Sequence, residues 1–562
     1  MGFEISNKLK KVFFALIGVG VVFLVLGFFS QKKFLFVEEL NEHHPNRLVV
    51  FTNADDLENY EDQLQDIQAE IKGCLGDEYE IEINDLTHEH CNHDHGSEGH
   101  EDHGHDGGEE EHAEEAHEEH AHHGPTLRWE IVISHKGHGE EGHSHEGHDH
   151  GHEGHAHDGG HGDHHGPHAV VNNNHMVAEA HQSGTPAEQV AAKIESGEIA
   201  MSDKGMRRFW SNLLVNGFFF FGIALGAIFY LALHYATESG WGVVLLRVFE
   251  GISSAMPLGM IVLLIVFIAG IAGVHHIYPW MDGDIVEHDY LIHKKSAYLN
   301  VPFFLIRVVA YFSVFYFFMR WFRKTSRRED EEGGVELHYK MYRTSATFLV
   351  FFAVFSSTMA WDFIMSIDTH WFSTLFGWYT FSGIWLSAMI MVMMVTLYLK
   401  SRGALEYVNE NHIHDVGKWM FAISFLWSYL WFSQFMLIWY SNIPEETIYY
   451  DARFESYSGI FLGMFAINFV LPMVMFMSRD TKRSWPYLIV IGLIIFIGHW
   501  FDVFCMVMPG TLFDEWEFGM LEIGMFMMFL GGFMLLVFKG LASAPLVQKN
   551  HPYLQESIHH EF

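Results

Sequence analysis

Residues Trp485–Met508 read WPYLIVIGLIIFIGHWFDVFCMVM. At 1.5 Å per residue this stretch makes a helix of roughly 36 Å, longer than the ~30 Å hydrocarbon core of a bilayer. Two groups interrupt it, His499 and Asp502, and a spacing of three places both on one helix face. A charge in hydrocarbon costs at least ~2.5–3.5 kcal/mol on insertion scales. Such a group is kept for a partner or for a task.

The same pattern repeats outward through nearly all of Leu213–Leu541, with Glu250, Arg307, Asp362 and Glu522 as further ionisable intrusions. A span length of about 20 apolar residues predicts ten spans, at roughly 11–30, 209–234, 243–272, 298–322, 344–367, 373–399, 416–440, 457–477, 485–508 and 517–539. The first follows Lys8, Lys10 and Lys11 and runs longer than the apolar stretch of a signal peptide, with no small-residue cleavage site after it, so it reads as a retained anchor. Trp241, Trp321, Trp371, Trp485 and Tyr487 fall at span ends, as in an interfacial belt.

Lys and Arg set the expected orientation. Arg320–Arg343 reads as a strongly basic loop, and Lys400 with Arg402 and Arg479 with Lys482 and Arg483 mark two more. The alternate loops, around Asp368, Glu445 and Asp514, are poor in bases. With ten spans the three basic loops share a side with both termini, which the positive-inside rule makes cytoplasmic in a bacterial inner membrane. Residues 31–208 then lie in the periplasm. The expected domains are an anchor (1–30), this insertion (31–208), a nine-helix membrane domain (209–540) and a cytoplasmic tail (541–562).

The formal charge of −37 belongs mostly to Glu38–Asp203 and argues against nucleic acid as a partner. Within the insertion, Arg47–Asn53, Tyr79–Ile83 and Leu127–Ser134 read as strands, Asp56–Lys72 as an amphipathic helix and Ala187–Glu195 as a short one. This is a small α/β unit. Two tracts of His, Gly, Glu and Asp, His88–His123 and His135–His168, hold over half of the 42 histidines. They have almost no apolar surface to bury and are expected to be disordered. They can bind metal simply because imidazole does, and no metal site is assigned to them. Three cysteines, with no C-x-x-C-H and no cluster, exclude covalent haem and iron–sulfur ligation by this chain.

The intramembrane polar residues carry the functional signal. Arg247 and Glu250 share a face near the inner end of span three, Arg307 lies in span four, and Asp362 lies toward the outer end of span five. Gln434 sits in span seven, His499 and Asp502 in the outer half of span nine, and Glu522 one turn into span ten. Two readings stand: proton half-paths opening to opposite sides, or polar glue between helices. His275 and His276 close span three, where adjacent histidines suit an interface better than a haem. The Met-rich run Met389–Met394 reads as packing.

Four stretches carry a family resemblance: WDFIMSIDTHWFST at Trp361–Thr374, WFSQFMLIWYSNIPEET at Trp431–Thr447, YLNVPFF at Tyr298–Phe304, and HPYLQES at His551–Ser557. Together they resemble the NrfD-type membrane subunits of bacterial alternative complex III, a quinol:cytochrome c oxidoreductase, over about residues 205–562. The run HHIYPW at His275–Trp280 and the insertion after span one are more similar to the F-type than to the quinol-oxidising C-type. The His-rich tracts are not part of that pattern.

The resemblance implies eight middle spans in two four-helix bundles and no redox centre on this chain. Haem c and iron–sulfur clusters would lie in partner subunits, with quinol as the substrate of the complex. The implied partners are a paralogous ten-helix quinol-binding subunit, an iron–sulfur subunit, multihaem and monohaem cytochrome c subunits, small membrane subunits and lipid, with a terminal oxidase as a supercomplex partner. It places Glu250, Asp362, Asp502 and Glu522 as proton-path candidates. Two alternatives remain. The chain is itself the quinol site, with His275, Asp362 or His499 taking the quinol proton. Or it is a metal-ion transporter with a His-rich collecting loop.

Overall fold

The computed structural model describes residues 3–29, 36–40, 47–52, 68, 71–72, 79–85, 127–135, 190, 204–513 and 516–561. The chain divides into two compact units, Met1–Gln31 with Lys204–Phe562, and Lys32–Asp203.

Unit one is an all-α membrane protein. Its helices long and apolar enough to cross a bilayer are Asn7–Phe28, Met206–Ala236, Val243–Ile271, Val301–Glu332, Val335–Met365, Leu375–Ser401, Glu410–Ser441, Ser458–Met475, Trp485–Leu512 and Met520–Leu541, spans one to ten in order. They agree with the sequence expectation in number and, apart from a few ends, in extent. Spans two to five pack into one bundle and spans six to nine into a second, joined where span two lies along span six. Phe229 of span two marks this seam, stacked on Phe352 of span five at 4.6 Å and edge-on to Phe381 of span six at 4.9 Å. The Met-rich run of span six is core: Met389, Met391 and Met393 are all buried.

Span one packs lengthwise on span ten. Glycines make the approach possible. A Cβ at Gly20 would stand 2.5 Å from the Met528 amide nitrogen, and one at Gly524 2.4 Å from that of Leu24. Gly27 and Gly531 repeat the pattern on the two helices, at Leu521 and at Phe13 with Ile17. Without a hydrophobic drive between helices in lipid, such backbone proximity supplies the dispersion contact that holds them.

Two expectations need correction. Arg320–Arg343 is not a loop. Spans four and five continue helically through it and turn only at Gly333 and Gly334, at φ 66° and 87°. Lys, Arg and Glu are good helix formers, and long basic side chains cover apolar surface while their heads reach water. Hydropathy therefore ended these helices too early. Trp371 is not an interfacial residue: it is buried and stacked on Tyr449 at a centroid distance of 3.8 Å.

Two π-helical turns, Trp361–Met365 and Ala466–Val470, interrupt spans five and eight, one in each bundle. Each carries a fully buried polar residue, Asp362 and Asn468. The final segment also belongs to the domain. Gln548 and Ser557 are completely buried, so residues 542–561 form the closing layer at the end of the domain that holds the basic residues.

Unit two contains a four-stranded antiparallel sheet of β1 (Phe36–Leu40), β2 (Arg47–Thr52), β3 (Tyr79–Asp85) and β4 (Leu127–His135), in the order β1-β2-β4-β3. Ile81, Ile83, Ile131 and Ile133 are buried on it, with Ile83 opposite Ile131 in the β3–β4 register. β1 was not legible in the sequence, because FVEEL has too short an alternation. Of the expected helix Asp56–Lys72, Gln68, Ile71 and Lys72 are helical, and Val190 of the other is too. The rest of both helices lies outside the described residues, as do the His-rich tracts except His135, which ends β4.

Candidate functional site

The polar intrusions sort by whether a guanidinium neutralises them. In bundle one, Arg307 grips Asp362 with both arms, Nε to Oδ2 at 2.7 Å and Nη2 to Oδ1 at 3.0 Å. The Tyr311 hydroxyl donates to Oδ2 at 2.7 Å, and the Arg307 guanidinium lies over the Tyr298 ring at 3.9 Å. The π turn at Trp361–Met365 is what turns Asp362 into this contact. A bidentate, fully paired carboxylate of this kind is a fastener between helices.

Glu522 is fastened likewise. Arg208 of span two donates to both its oxygens at 2.8 Å, Asn212 adds a bond at 2.9 Å, and the Gly519 amide donates to Oε2 at 2.8 Å. This is an N-terminal cap on span ten with an ion pair added. Glu250 accepts from Arg247 at 2.8 Å, from the Ser326 hydroxyl at 2.6 Å and from Gln548 at 3.3 Å. Arg247 also pairs with Asp330. Span three, span four and the final segment are thereby knotted together.

His275 does not present a free nitrogen either. Its Nε2 meets the Val266 carbonyl at 2.9 Å, and Nδ1 accepts from the Ile277 amide at 3.4 Å. Burial pushes its pKa below the ordinary histidine value, and the neutral ring is the form these contacts suit.

Bundle two differs. Asp502 takes the Trp427 indole N–H at 2.8 Å on one oxygen and the Tyr379 hydroxyl on the other. Its nearest cationic candidate is His499, whose Nδ1 lies 3.6 Å from Oδ2. Both nitrogens of His499 lack a hydrogen-bond partner among the described residues, as do both polar atoms of Asn468. Asn468 sits in the second π turn against Gly498, where a Cβ would stand 2.2 Å from its Oδ1. A small cavity beside His499 and Asp502 is lined also by Thr380 and Ser387.

From Asp502 the polar lining continues away from the basic end. Tyr379 borders a second cavity with Gln434, Tyr449, Tyr450, Arg453 and Cys505. Gln434 is buried with Oε1 unpartnered. Burial keeps the Tyr449 and Tyr450 phenols protonated by pushing them up. Arg453, on the short helix Pro444–Glu455, donates to the Cys505 carbonyl at 3.0 Å and pairs with the partly exposed Asp368 at 3.3 Å. This order of groups runs from mid-span His499 to the domain end opposite the basic residues.

The sequence reading singled out His499, Asp502 and Gln434 but missed the buried polar residues Tyr379, Trp427, Asn468 and Arg453 of the same bundle. Spacing shows partners on one helix; these lie on other helices. It also missed Arg208 and Gln548, the partners of Glu522 and Glu250. At the basic end, the buried His551 imidazole is pushed down to about 3, by burial first and then by His338 and His234. Against protein-family models and against curated proteins, the chain gives no match.

Proposed function

We propose that the chain is an integral membrane subunit of a quinol:cytochrome c oxidoreductase of the alternative complex III type, carrying no redox centre and moving protons through bundle two. Its basic end faces the cytoplasm of a bacterial inner membrane, and unit two the periplasm. Support for the enzyme class comes from the four motif stretches. Two of them supply polar fasteners: Asp362 from one segment is held by Arg307, which lies over Tyr298 from another.

The observation that carries the proton role is the pair His499–Asp502. It is buried, 3.6 Å apart and reached by no guanidinium among the described residues, with the Tyr379 hydroxyl bonded to Asp502 and bordering the next cavity together with Gln434. Glu250, Asp362 and Glu522 serve as glue. Ionisable groups buried in a membrane domain without a fixed cation beside them are the usual marks of a proton relay.

Purification through a tag on this chain from its native membranes tests the enzyme class. Haem c absorbance and quinol:cytochrome c activity are expected to copurify. A monodisperse preparation from those membranes with neither haem nor iron–sulfur signal overturns it.

A further inference from the structure

Beside the Glu250 knot lies a second cluster that the proposed function does not use. Glu329 ends span four, His338 begins span five, and His551 comes from the final segment. All three are buried, Glu329 completely. One ligand atom of each lies within 4.8 Å of the other two, and Glu329 Oε1 stands 3.9 Å from His338 Nδ1. That is too long for a hydrogen bond. Both carboxylate oxygens of Glu329 and both ring nitrogens of His338 lack a partner among the described residues. Four unsatisfied polar atoms buried at one point carry a substantial desolvation cost.

We infer that Glu329, His338 and His551 form a binding site for a first-row divalent cation of the zinc class. Two imidazoles and a carboxylate are a common donor set for such ions, with the remaining position open to water. Charge points the same way. Asp330 and Glu250 both pair with Arg247, whereas neither oxygen of the adjacent Glu329 has a partner among the described residues. A divalent cation supplies the partner that Glu329 lacks.

The coordination geometry is within reach. Bonds of about 2.0–2.1 Å place tetrahedral ligand atoms roughly 3.3 Å apart, so the side chains draw in by at most about 1.5 Å. His551 has one lone pair to give. It now takes the Tyr553 amide at a long 3.2 Å, and coordination exchanges that bond for a metal–nitrogen bond. The bound ion ties the final segment to the hairpin of spans four and five.

Co²⁺ binding to the purified full-length protein tests the site. Tetrahedral Co²⁺ absorbs strongly in the visible, whereas Co²⁺ held loosely by the His-rich tracts and water is pale and is the same in every variant. The wild type is expected to show the band saturating at about one ion per chain. Glu329→Gln, His338→Asn and His551→Asn are each expected to lose it. A band that persists in all three, or is absent from the wild type, overturns the site. A density map of the wild type with added Zn²⁺ decides the case if the variants misfold. A peak between the three side chains at about 2.0–2.3 Å is expected, and none there refutes the proposal.

Discussion

His499 Nδ1 stands 3.6 Å from Asp502 Oδ2 inside the second bundle, while Asp362 in the first is clasped by Arg307 at 2.7 and 3.0 Å. Two buried aspartates in one domain thus have opposite electrostatic settings. One is clasped by a guanidinium. The other has donors but no permanent counter-charge.

The settings predict opposite mutant behaviour. Asp502→Asn keeps shape and can still meet Trp427 and Tyr379, and His499→Gln removes no hydrogen bond made among the described residues, so the complex assembles. Proton transfer by a positioned group is worth about 10²–10⁴-fold, so proton movement per electron in reconstituted vesicles falls sharply in both. Unaltered proton stoichiometry in both variants would remove the relay.

Asp362→Asn leaves the Arg307 guanidinium buried without its anion. Breaking a buried pair from one side costs about 3–5 kcal/mol. Thermal unfolding in detergent is expected to drop by several degrees, with proton stoichiometry per surviving complex unchanged. Glu522→Gln removes the buried anion from Arg208 but leaves it the exposed Glu517 at 3.1 Å, so a smaller drop is expected.

Span one is held by backbone proximity at its glycines. Gly20→Leu or Gly524→Leu drives carbon into the facing backbone, where no flexible side chain can move aside. Cross-linking by a short bifunctional thiol reagent between Phe13→Cys and Phe538→Cys, whose rings lie 5.5 Å apart in the wild type, introduced into each variant, reads the docking. Efficient cross-linking in the Gly20→Leu background would show that the glycines are not what holds the helix.

His275 predicts a pH dependence. Its folded pKa is depressed, so the folded state binds fewer protons than the unfolded chain below the ordinary value of about 6.5. The contribution is complete above that value and is lost as pH falls below it, by at most about 1.4 kcal/mol per pH unit. Protonation also puts a hydrogen on Nδ1 facing the Ile277 amide. The protection factor of the Ile277 amide, its exchange rate corrected for the intrinsic pH dependence, is expected to fall as pH drops below the ordinary histidine range of about 6.5, and His275→Gln to abolish that fall. A flat profile in the wild type would count against it.

The ten spans were legible because length and hydropathy report directly on the bilayer. The positions of Glu250, Asp362, Asp502 and Glu522 were legible too, since a charge stands out in an apolar run. Whether each was paired was not. Arg208 and Glu522 are over 300 residues apart in sequence, and so are Tyr235 and Gln548. The π turns also escaped, because nothing in WDFIM or AINFV marks a one-residue insertion. The Glu329–His338–His551 cluster escaped for another reason. Glu329 was assigned to a loop, so its burial could not be anticipated. Gly20 and Gly524 read as ordinary apolar-run residues until their neighbours were known.

That last contact sets a clock on biosynthesis. Gly20 and Gly524 lie roughly 500 residues apart, and ribosomes add about 5–20 residues per second. Span one therefore waits roughly half a minute to two minutes for span ten, its glycine face open to lipid or to an insertase. Its docking on span ten cannot guide the insertion of the helices made between them, and agents that occupy a small-residue groove during that interval compete with span ten.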